Sequence, residues 1–360
     1  MGRGLPLAVA VLIGITTALP CGKVASAVGS PAVLWRFRTS ATLAAPVLVE
    51  GVLYVGAADG FVYAVEPTTG YALWGASADT PAATAMAVAG DTVYLANGDF
   101  ATLDARTGEE RLRLGSDRYR LTALTESGGV VYGGGVAGGA GFVTALDDFT
   151  GSRVWRADTI GIVAAPPAVT AEAAYVGTLA GELYAFDPGS GAVRWRAPAA
   201  GGVVGSPVVA GETVYVATRG TGTAATATPE AEAGALQAVE TATGRIRWRV
   251  ALGARPEATP VAAEGVVLVA GGGRLAAHDA ATGATRWTTA IGERGPAAPA
   301  VSEGTLYVAD PAGGVVALAA ADGTERWRLA LPDPATVAPV VAGGIAYVAA
   351  GSSLYAVTGG

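Results

Sequence analysis

The sequence predicts an all-β fold: an eight-bladed β-propeller of four-stranded antiparallel blades. Three observations predict it. A pattern of Ala, Gly and Trp recurs about every 40 residues along the chain, the period of solenoids and propellers. Short β-branched and apolar runs between these marks, broken by Gly and Asp, supply four strands per copy. One copy is divided between the two termini. A closed ring requires this, because pairing the first strand with the last blade removes the exposed sheet edges.

The N-terminus reads as a targeting segment, residues 1–27. Arg3 gives a small positive region, and Leu5 to Leu19 is an apolar run too short to span a bilayer comfortably. Ala25-Ser26-Ala27 offers a small-x-small cleavage site. Cys21, the single cysteine, lies where a lipoprotein would carry its acylated residue, but Ala18-Leu19-Pro20 before it departs from the usual lipoprotein pattern. Two readings therefore stand: a lipid anchor at Cys21, or an ordinary secretory signal whose Cys is discarded. Either way the mature chain forms no internal disulfide, and its stability comes from packing. Cleavage after Ala27 would remove Arg3 and Lys23, leaving 21 Arg against 30 acidic residues, a net charge of −9. That acidity argues against a nucleic-acid partner. The expectation is an extracytoplasmic monomer, secreted or envelope-associated, with no transmembrane segment in the mature chain.

The remainder, residues 28–360, is read as the propeller. Hydrophobic residues make up 51% and charged residues 15% of the chain, which suits a core-building protein and not a disordered one. The Ala column runs Ala64, Thr102, Ala145, Ala185, Ala238, Ala277, Ala317 and Ala356. Six residues after each of the first seven comes Gly70, Gly108, Gly151, Gly191, Gly244, Gly283 and Gly323, and Gly359, three residues after Ala356, ends the Gly column. Four residues later stand Trp74, Leu112, Trp155, Trp195, Trp248, Trp287 and Trp327. Gly359 has no such follower, and Trp35 has no Ala–Gly segment before it. Joined, they complete the eighth copy.

A second register supports the count. Tyr54, Tyr94, Tyr132, Tyr175, Tyr215, Leu268, Tyr307 and Tyr347 lie inside strand-like runs. Eight residues before them stand Pro46, Pro167, Pro207, Pro260, Pro299 and Pro339, with no equivalent in copies two and three. In "AFDPGSGAVRW" (185–195) the Asp is placed to bond turn amides, and Gly191 supplies a tight bend of positive φ. Trp195 then returns on the outer strand to pack on the neighbouring blade, and the small Ala185 leaves room for it. Trp35, Trp74, Leu112, Trp155, Trp195, Trp248, Trp287 and Trp327 are thus expected to be inter-blade staples. The eight glycines are expected to be turns.

These columns resemble the pyrroloquinoline-quinone-like (PQQ-like) repeat, whose core pattern is Ala-x-Asp-x-x-Thr-Gly-x-x-x-Trp. "AVEPTTGYALW" (64–74), "ALDDFTGSRVW" (145–155), "AVETATGRIRW" (238–248) and "AHDAATGATRW" (277–287) match it well. The resemblance covers essentially all of residues 33–360. Departures are Leu112 for Trp, Glu66 and Glu240 for Asp, and Ala319, which removes the acid. The Trp195–Trp248 spacing is also enlarged by "RGTGTAATATPEAEAG" (219–234), read as a surface loop between the second and third strands of that blade.

The resemblance implies two classes of function, since the family includes quinoprotein dehydrogenases and non-catalytic propellers. Among the latter is the propeller lipoprotein of the outer-membrane β-barrel assembly machinery. The enzyme reading is a secreted dehydrogenase oxidising alcohols or sugars. In that family PQQ and Ca²⁺ sit on the axis, held by Glu, Asn and Asp, and Ca²⁺ does require oxygen ligands. This chain has one Asn, Asn97, and lacks the long insertions that build those sites. Unrepeated acids such as Glu172, Glu257 and Asp310 are what could still assemble at the axis. His278, the only histidine, sits in a repeat strand and reads as structural, since no nucleophile motif accompanies it and zinc needs more ligands. The glycine runs 133–141 and 270–277 lack the Lys-Ser/Thr of a phosphate loop and read as turns between strands. The "RWR" triplets at 194–196, 247–249 and 326–328 read as a solvated rim.

What remains is a non-catalytic extracytoplasmic scaffold without cofactor or metal, presenting loops to a protein partner or cell-wall ligand. A third reading is a solute sensor at the axial funnel. The small residues before the Pro column suit a crowded axis and offer such a solute few binding groups.

Overall fold

The computed structural model describes residues 30–78, 85–97, 99–115, 121–220, 233–292 and 297–359. The targeting segment with Cys21 lies outside them, as do residues 221–232 of the insertion. The described chain folds into eight four-stranded antiparallel sheets. Blade 1 spans residues 47–77, blade 2 85–114, blade 3 121–159 and blade 4 168–198. Blade 5 spans 208–251, blade 6 261–290 and blade 7 300–330. Blade 8 takes three strands from 340–358 and its outer strand from Ala32–Arg38.

Closure follows the expected register. Trp35 pairs with Ala356, Arg36 with Tyr355 and Phe37 with Leu354. The core is distributed, not central: among the described residues eight buried clusters form, one at each contact between neighbouring blades. One joins Leu53 and Val55 of blade 1 to Tyr347 and Leu354 of blade 8, so the ring is continuous through its seam. Burial of apolar area between blades is the dominant stabilising term here, at about 25 cal/mol per Å² removed from water.

The Pro column has a direct structural meaning. Pro46, Pro167, Pro207, Pro260, Pro299 and Pro339 are buried and each immediately precedes an innermost strand. Proline cannot donate to the ladder, so it sets where that strand begins. Blades 2 and 3, which lack it, have the longest inner strands, Ala85–Ala89 and Leu121–Ser127.

The glycine run at 133–141 differs from expectation. Gly133, Gly134 and Gly135 are inside the strand Val130–Ala137, and only Gly138 and Gly139 form the turn. Leu121 and Val163 occupy the space where side chains at Gly133 and Gly134 would stand. Close approach of neighbouring elements, not chain reversal, is what selects glycine there.

Each blade presents its first–second and third–fourth strand turns on one face of the ring. Its second–third turn and the connection to the next blade lie on the other.

Candidate functional site

The recurring Ala, Gly and Trp build one repeated contact. Within blade 4 Ala185 is paired with Tyr175 on one side and Trp195 on the other. A side chain as small as Ala lets the two aromatic rings meet above it, 5.9 Å apart. The ladder shifts register immediately after the Ala185–Trp195 pair, and an equivalent bulge occurs in all eight blades. Bulges re-aim a side chain, and here the Trp is turned toward the next blade. Trp195 Nε1 donates to the Thr241 carbonyl at 2.7 Å, and its ring lies over Gly244.

The same contact is made by Trp35 on Pro67 and Gly70, Trp74 on Ala105 and Gly108, and Trp155 on Pro188 and Gly191. Trp248 reaches Ala280 and Gly283, and Trp287 reaches Ala320 and Gly323. Trp327 lies against Gly359. At Gly191 two requirements coincide. Its φ is 71°, and an added Cβ would stand 2.5 Å from the Trp155 ring. Gly359 is a correction to the turn reading: its backbone is not left-handed, and Trp327 alone excludes a side chain there.

Leu112 replaces the indole with a purely apolar contact, resting with Leu114 on Gly151. The hydrogen bond across that interface is made by another group: the Tyr94 hydroxyl donates to Asp148 Oδ2 at 3.1 Å. Burial, then the Asp148 charge, pushes the Tyr94 phenol above its usual pKa.

The repeated acids are committed to turns. Asp187 accepts from the amides of Gly189 and Ser190 and from the Ser190 hydroxyl. Glu66 does the same for Thr68 and Thr69 with a longer side chain. Where Ala319 removes the acid, Asp322 takes over and accepts from Thr324. The Arg194 guanidinium and then the Ser190 hydroxyl lower Asp187 to about 2, and the Thr68 and Thr69 hydroxyls lower Glu66 to about 2. Glu240 accepts from Thr243.

The arginines of the "RWR" triplets all have partners. Arg194 pairs with Asp187 at 2.8 Å, Arg196 with Glu182 at 2.7 Å and Arg328 with Asp310 at 2.7 Å. Arg247 faces Glu212 and Glu240, Arg249 donates to Gln237, and Arg326 donates to Thr305. Four of these six arginines thus face carboxylates, and Arg249 and Arg326 are held by neutral acceptors.

Among the described residues, the approaches to the innermost strands bring little chemistry together. Gly205 of the blade 5 approach abuts Thr259 of blade 6, and the Ser206 amide donates to Thr259 Oγ1 at 3.2 Å. The three unrepeated acids do not converge. Glu172 sits exposed in the first turn of blade 4, and Glu257 is exposed in the connection between blades 5 and 6. Asp310 is buried at the end of its strand on Arg328 and the Ala312 amide. Asn97 ends the second strand of blade 2, and its side chain lies outside the described atoms. Among the described residues no three carboxylate, His or Cys side chains come together as a cation site. These residues do not fit a Ca²⁺–quinone pair, which needs several convergent oxygen donors.

Two features of the described surface remain. One is apolar. Ile160, Ile162 and Leu179 are 52%, 37% and 43% exposed, and they are brought together where the blade 3–4 connection meets the second–third turn of blade 4. The Leu179 amide donates to the Ile162 carbonyl at 2.9 Å, and Gly161 abuts Ala180. The patch lies on the face that carries the inter-blade connections and the ends of the 219–234 insertion. Nothing in the repeat columns marks it, because it lies between them.

The other feature is a cleft between blades 5 and 6, floored by His278. This histidine is buried in the strand Arg274–Asp279, as the structural reading requires. Its Nδ1 lies 3.2 Å from the Gly283 carbonyl, and its Nε2 has no hydrogen-bond partner among the described residues. Burial holds its pKa below the usual histidine value, against a smaller opposing effect of the Gly283 carbonyl.

The chain matches the model of the family described as outer membrane protein assembly factor BamB over residues 24–133, 139–233, 220–289 and 271–359. Among solved structures it is similar to BamB from Moraxella catarrhalis, at 20% identity and a TM-score of 0.70, covering 91% of this chain and 97% of that one. It is also similar to the quinohemoprotein alcohol dehydrogenase of Comamonas testosteroni, at 14% identity and a TM-score of 0.71, covering 92% of this chain and 76% of that one. A sequence match to the same dehydrogenase is 29% identical over 147 residues, 34% of this chain and 21% of that protein. The match thus spans about a fifth of that curated relative's length. A computationally designed protein, Ika8, superposes with a TM-score of 0.73 at 15% identity, covering 89% of this chain and 97% of that one. At these identities the likenesses between structures establish the fold alone.

Proposed function

Since the chain belongs to the family of the outer membrane protein assembly factor BamB, we propose that it is a non-catalytic extracytoplasmic scaffold that docks a partner protein of the cell envelope. The observation that carries this reading is the patch of Ile160, Ile162 and Leu179. Three large aliphatic side chains stand exposed side by side, on the face where loops and not strands set the surface. Contiguous exposed apolar groups of this kind mark contact surfaces. Backbone bonds to a packed blade hold them in place, so a partner meets a preformed surface and little ordering entropy is lost on binding.

The charged groups support the same reading. The turn acids and rim arginines already have intramolecular partners, which leaves the described residues few convergent groups for acid–base or metal chemistry. Protein docking needs no such groups. No transmembrane helix is present among the described residues, so envelope association would come from a partner or from an anchor at Cys21.

A photoreactive residue at position 179, introduced into the chain in its native cells, tests the proposal. The expected result is one dominant cross-linked envelope protein, lost when Ile162→Asp is added and retained with Phe149→Asp on the opposite face. Cross-linking that ignores Ile162→Asp, or none at all from a folded chain, would contradict it.

A further inference from the structure

The outer strands carry one more apolar surface, at the seam that closes the ring. Each outer strand has a residue that its bulge leaves without a partner in the ladder. In blades 2, 4, 5, 6 and 7 that residue is Arg111, Arg194, Arg247, Arg286 and Arg326. The first four reach back to acids of their own blade, Asp104, Asp187, Glu240 and Asp279, and Arg326 donates to Thr305. A charge at this place keeps an outer sheet edge in water. Blades 8 and 1 depart from the pattern: their bulge residues are Leu34 and Leu73. Blade 3 has Val154, next to the exposed Arg153.

The two leucines belong to one surface. The Trp35 indole lies over Gly70 and donates to the Pro67 carbonyl at 2.7 Å. Leu34 and Tyr71, the chain neighbours of Trp35 and Gly70, therefore flank a single contact across the seam, and Leu73 follows two residues on. Leu34, Tyr71 and Leu73 are each half exposed or more, and Val33 more than a third. The turn acid beside them, Glu66, is folded back onto Thr68 and Thr69. Arg36 and Arg38 stand exposed further along the same strand. This surface lies on the outer rim beside the third–fourth strand turns, so it is separate from the Ile160 patch on the face of the connections.

The chain that leads into this strand points to what covers it. Ser30 is the first described residue, and the strand Ala32–Arg38 begins two residues later. The apolar run Leu5 to Leu19 and Cys21 come just before. The twelve residues from Cys21 to Val33 reach at most about 43 Å when fully extended. A chain held to a membrane through this segment is thus held by its seam. Once tethered, it loses little further freedom in laying an apolar surface on that bilayer. Tyr and Arg beside aliphatic groups are also residue types suited to the lipid–water boundary, where their stems are buried and their polar ends stay hydrated. We propose that the seam between blades 8 and 1 rests on a lipid bilayer, with Leu34, Tyr71 and Leu73 entering the headgroup layer.

An environment-sensitive fluorescent amino acid at position 71 of the full chain tests this, with vesicles of equal parts phosphatidylethanolamine and phosphatidylglycerol. Its emission should shift to the blue and be quenched by a spin label carried in the acyl region. The same amino acid at position 149, exposed two blades further round the ring, should do neither. Leu34→Asp with Leu73→Asp should abolish the shift at position 71, whether or not Cys21 still holds the chain to the vesicle. Both side chains are exposed, so the melting temperature should not change. Leu34→Gln with Leu73→Gln should give the same loss without adding charge, so repulsion from the anionic lipid cannot stand in for lost apolar contact. No shift at position 71 with the unmodified leucines would overturn the assignment. So would an equal shift at position 149, or a shift that both double variants leave intact.

Discussion

Trp195 and Tyr175 share an acceptor: the Thr241 carbonyl of the next blade takes both the indole N–H and, at 3.5 Å, the phenol. The Trp248–Tyr215 pair does the same on Ala280. Such a residue contributes ring burial and a satisfied inter-blade carbonyl together. Trp195 is 9% exposed, so Trp195→Ala should cost about 3–5 kcal/mol, as for other buried Trp truncations. A loss below about 1 kcal/mol in a denaturant titration would place the indole outside the core. Leu112→Ala removes a smaller, half-buried group with no hydrogen bond, so it should cost less. His278 gives a pH signature. Its folded pKa lies below the ordinary 6.5, so the unfolded chain binds the proton more readily. The resulting stability is complete above that value and declines as pH falls below it. His278→Phe should flatten this part of the stability–pH curve, and a variant curve parallel to the parent's would refute it.

At the scale of an element, the third–fourth strand turn is the unit most fully legible in the sequence. Its acid, its Gly and its Trp each do a fixed local job, so spacing alone located them. Ala319 looked like a lost turn acid only because Asp322, three residues on, performs the same bonding from another position. The seam surface was not legible, because Leu34 and Leu73 stand out only against the arginines that other blades place at the bulge, and the bulge is seen only in the ladder. The apolar patch was missed for a related reason: Ile160, Ile162 and Leu179 meet through the loop path, not through a repeat. The turn acids also predict acid sensitivity. Glu66, Asp187 and Asp279 are held at about 2, the first by Thr hydroxyls and the others chiefly by Arg194 and Arg286. Stability from each is present above the usual carboxylate range and is lost as pH falls toward the folded value. Asp187→Asn should therefore be less stable at neutral pH and lose less between about pH 4 and pH 2. An acid-unfolding curve that the substitution leaves unchanged would contradict that. The insertion at 219–234 is expected to be dispensable for the blade 5 hairpin. Thr218 still pairs with Ala235 across its ends, so deleting residues 220–233 should leave the blade 5 hairpin and the fold intact, because loop length changes closure entropy slowly. Aggregation of the deletion protein would show that the segment packs.

For the whole molecule, closure is the decisive feature. Ala32–Arg38 supplies the outer strand of blade 8, and Phe37 is buried in the blade 8–blade 1 cluster. Removing residues 30–38 should leave Ser353–Thr358 as an open edge and produce self-association in size-exclusion chromatography. A monomer of unchanged melting temperature would mean that the seam contributes little. The same closed ring also serves dehydrogenases and a designed protein, so architecture alone assigns no reaction. What separates scaffold from enzyme is whether the axis can hold and orient a quinone, since the cofactor carries the redox chemistry. The most direct measurement is therefore turnover of alcohols and sugars by the purified chain, supplied with pyrroloquinoline quinone, Ca²⁺ and an artificial electron acceptor. The scaffold account predicts no oxidation above the protein-free rate. Quinone-dependent turnover that vanishes on chelation and returns with Ca²⁺ would contradict it.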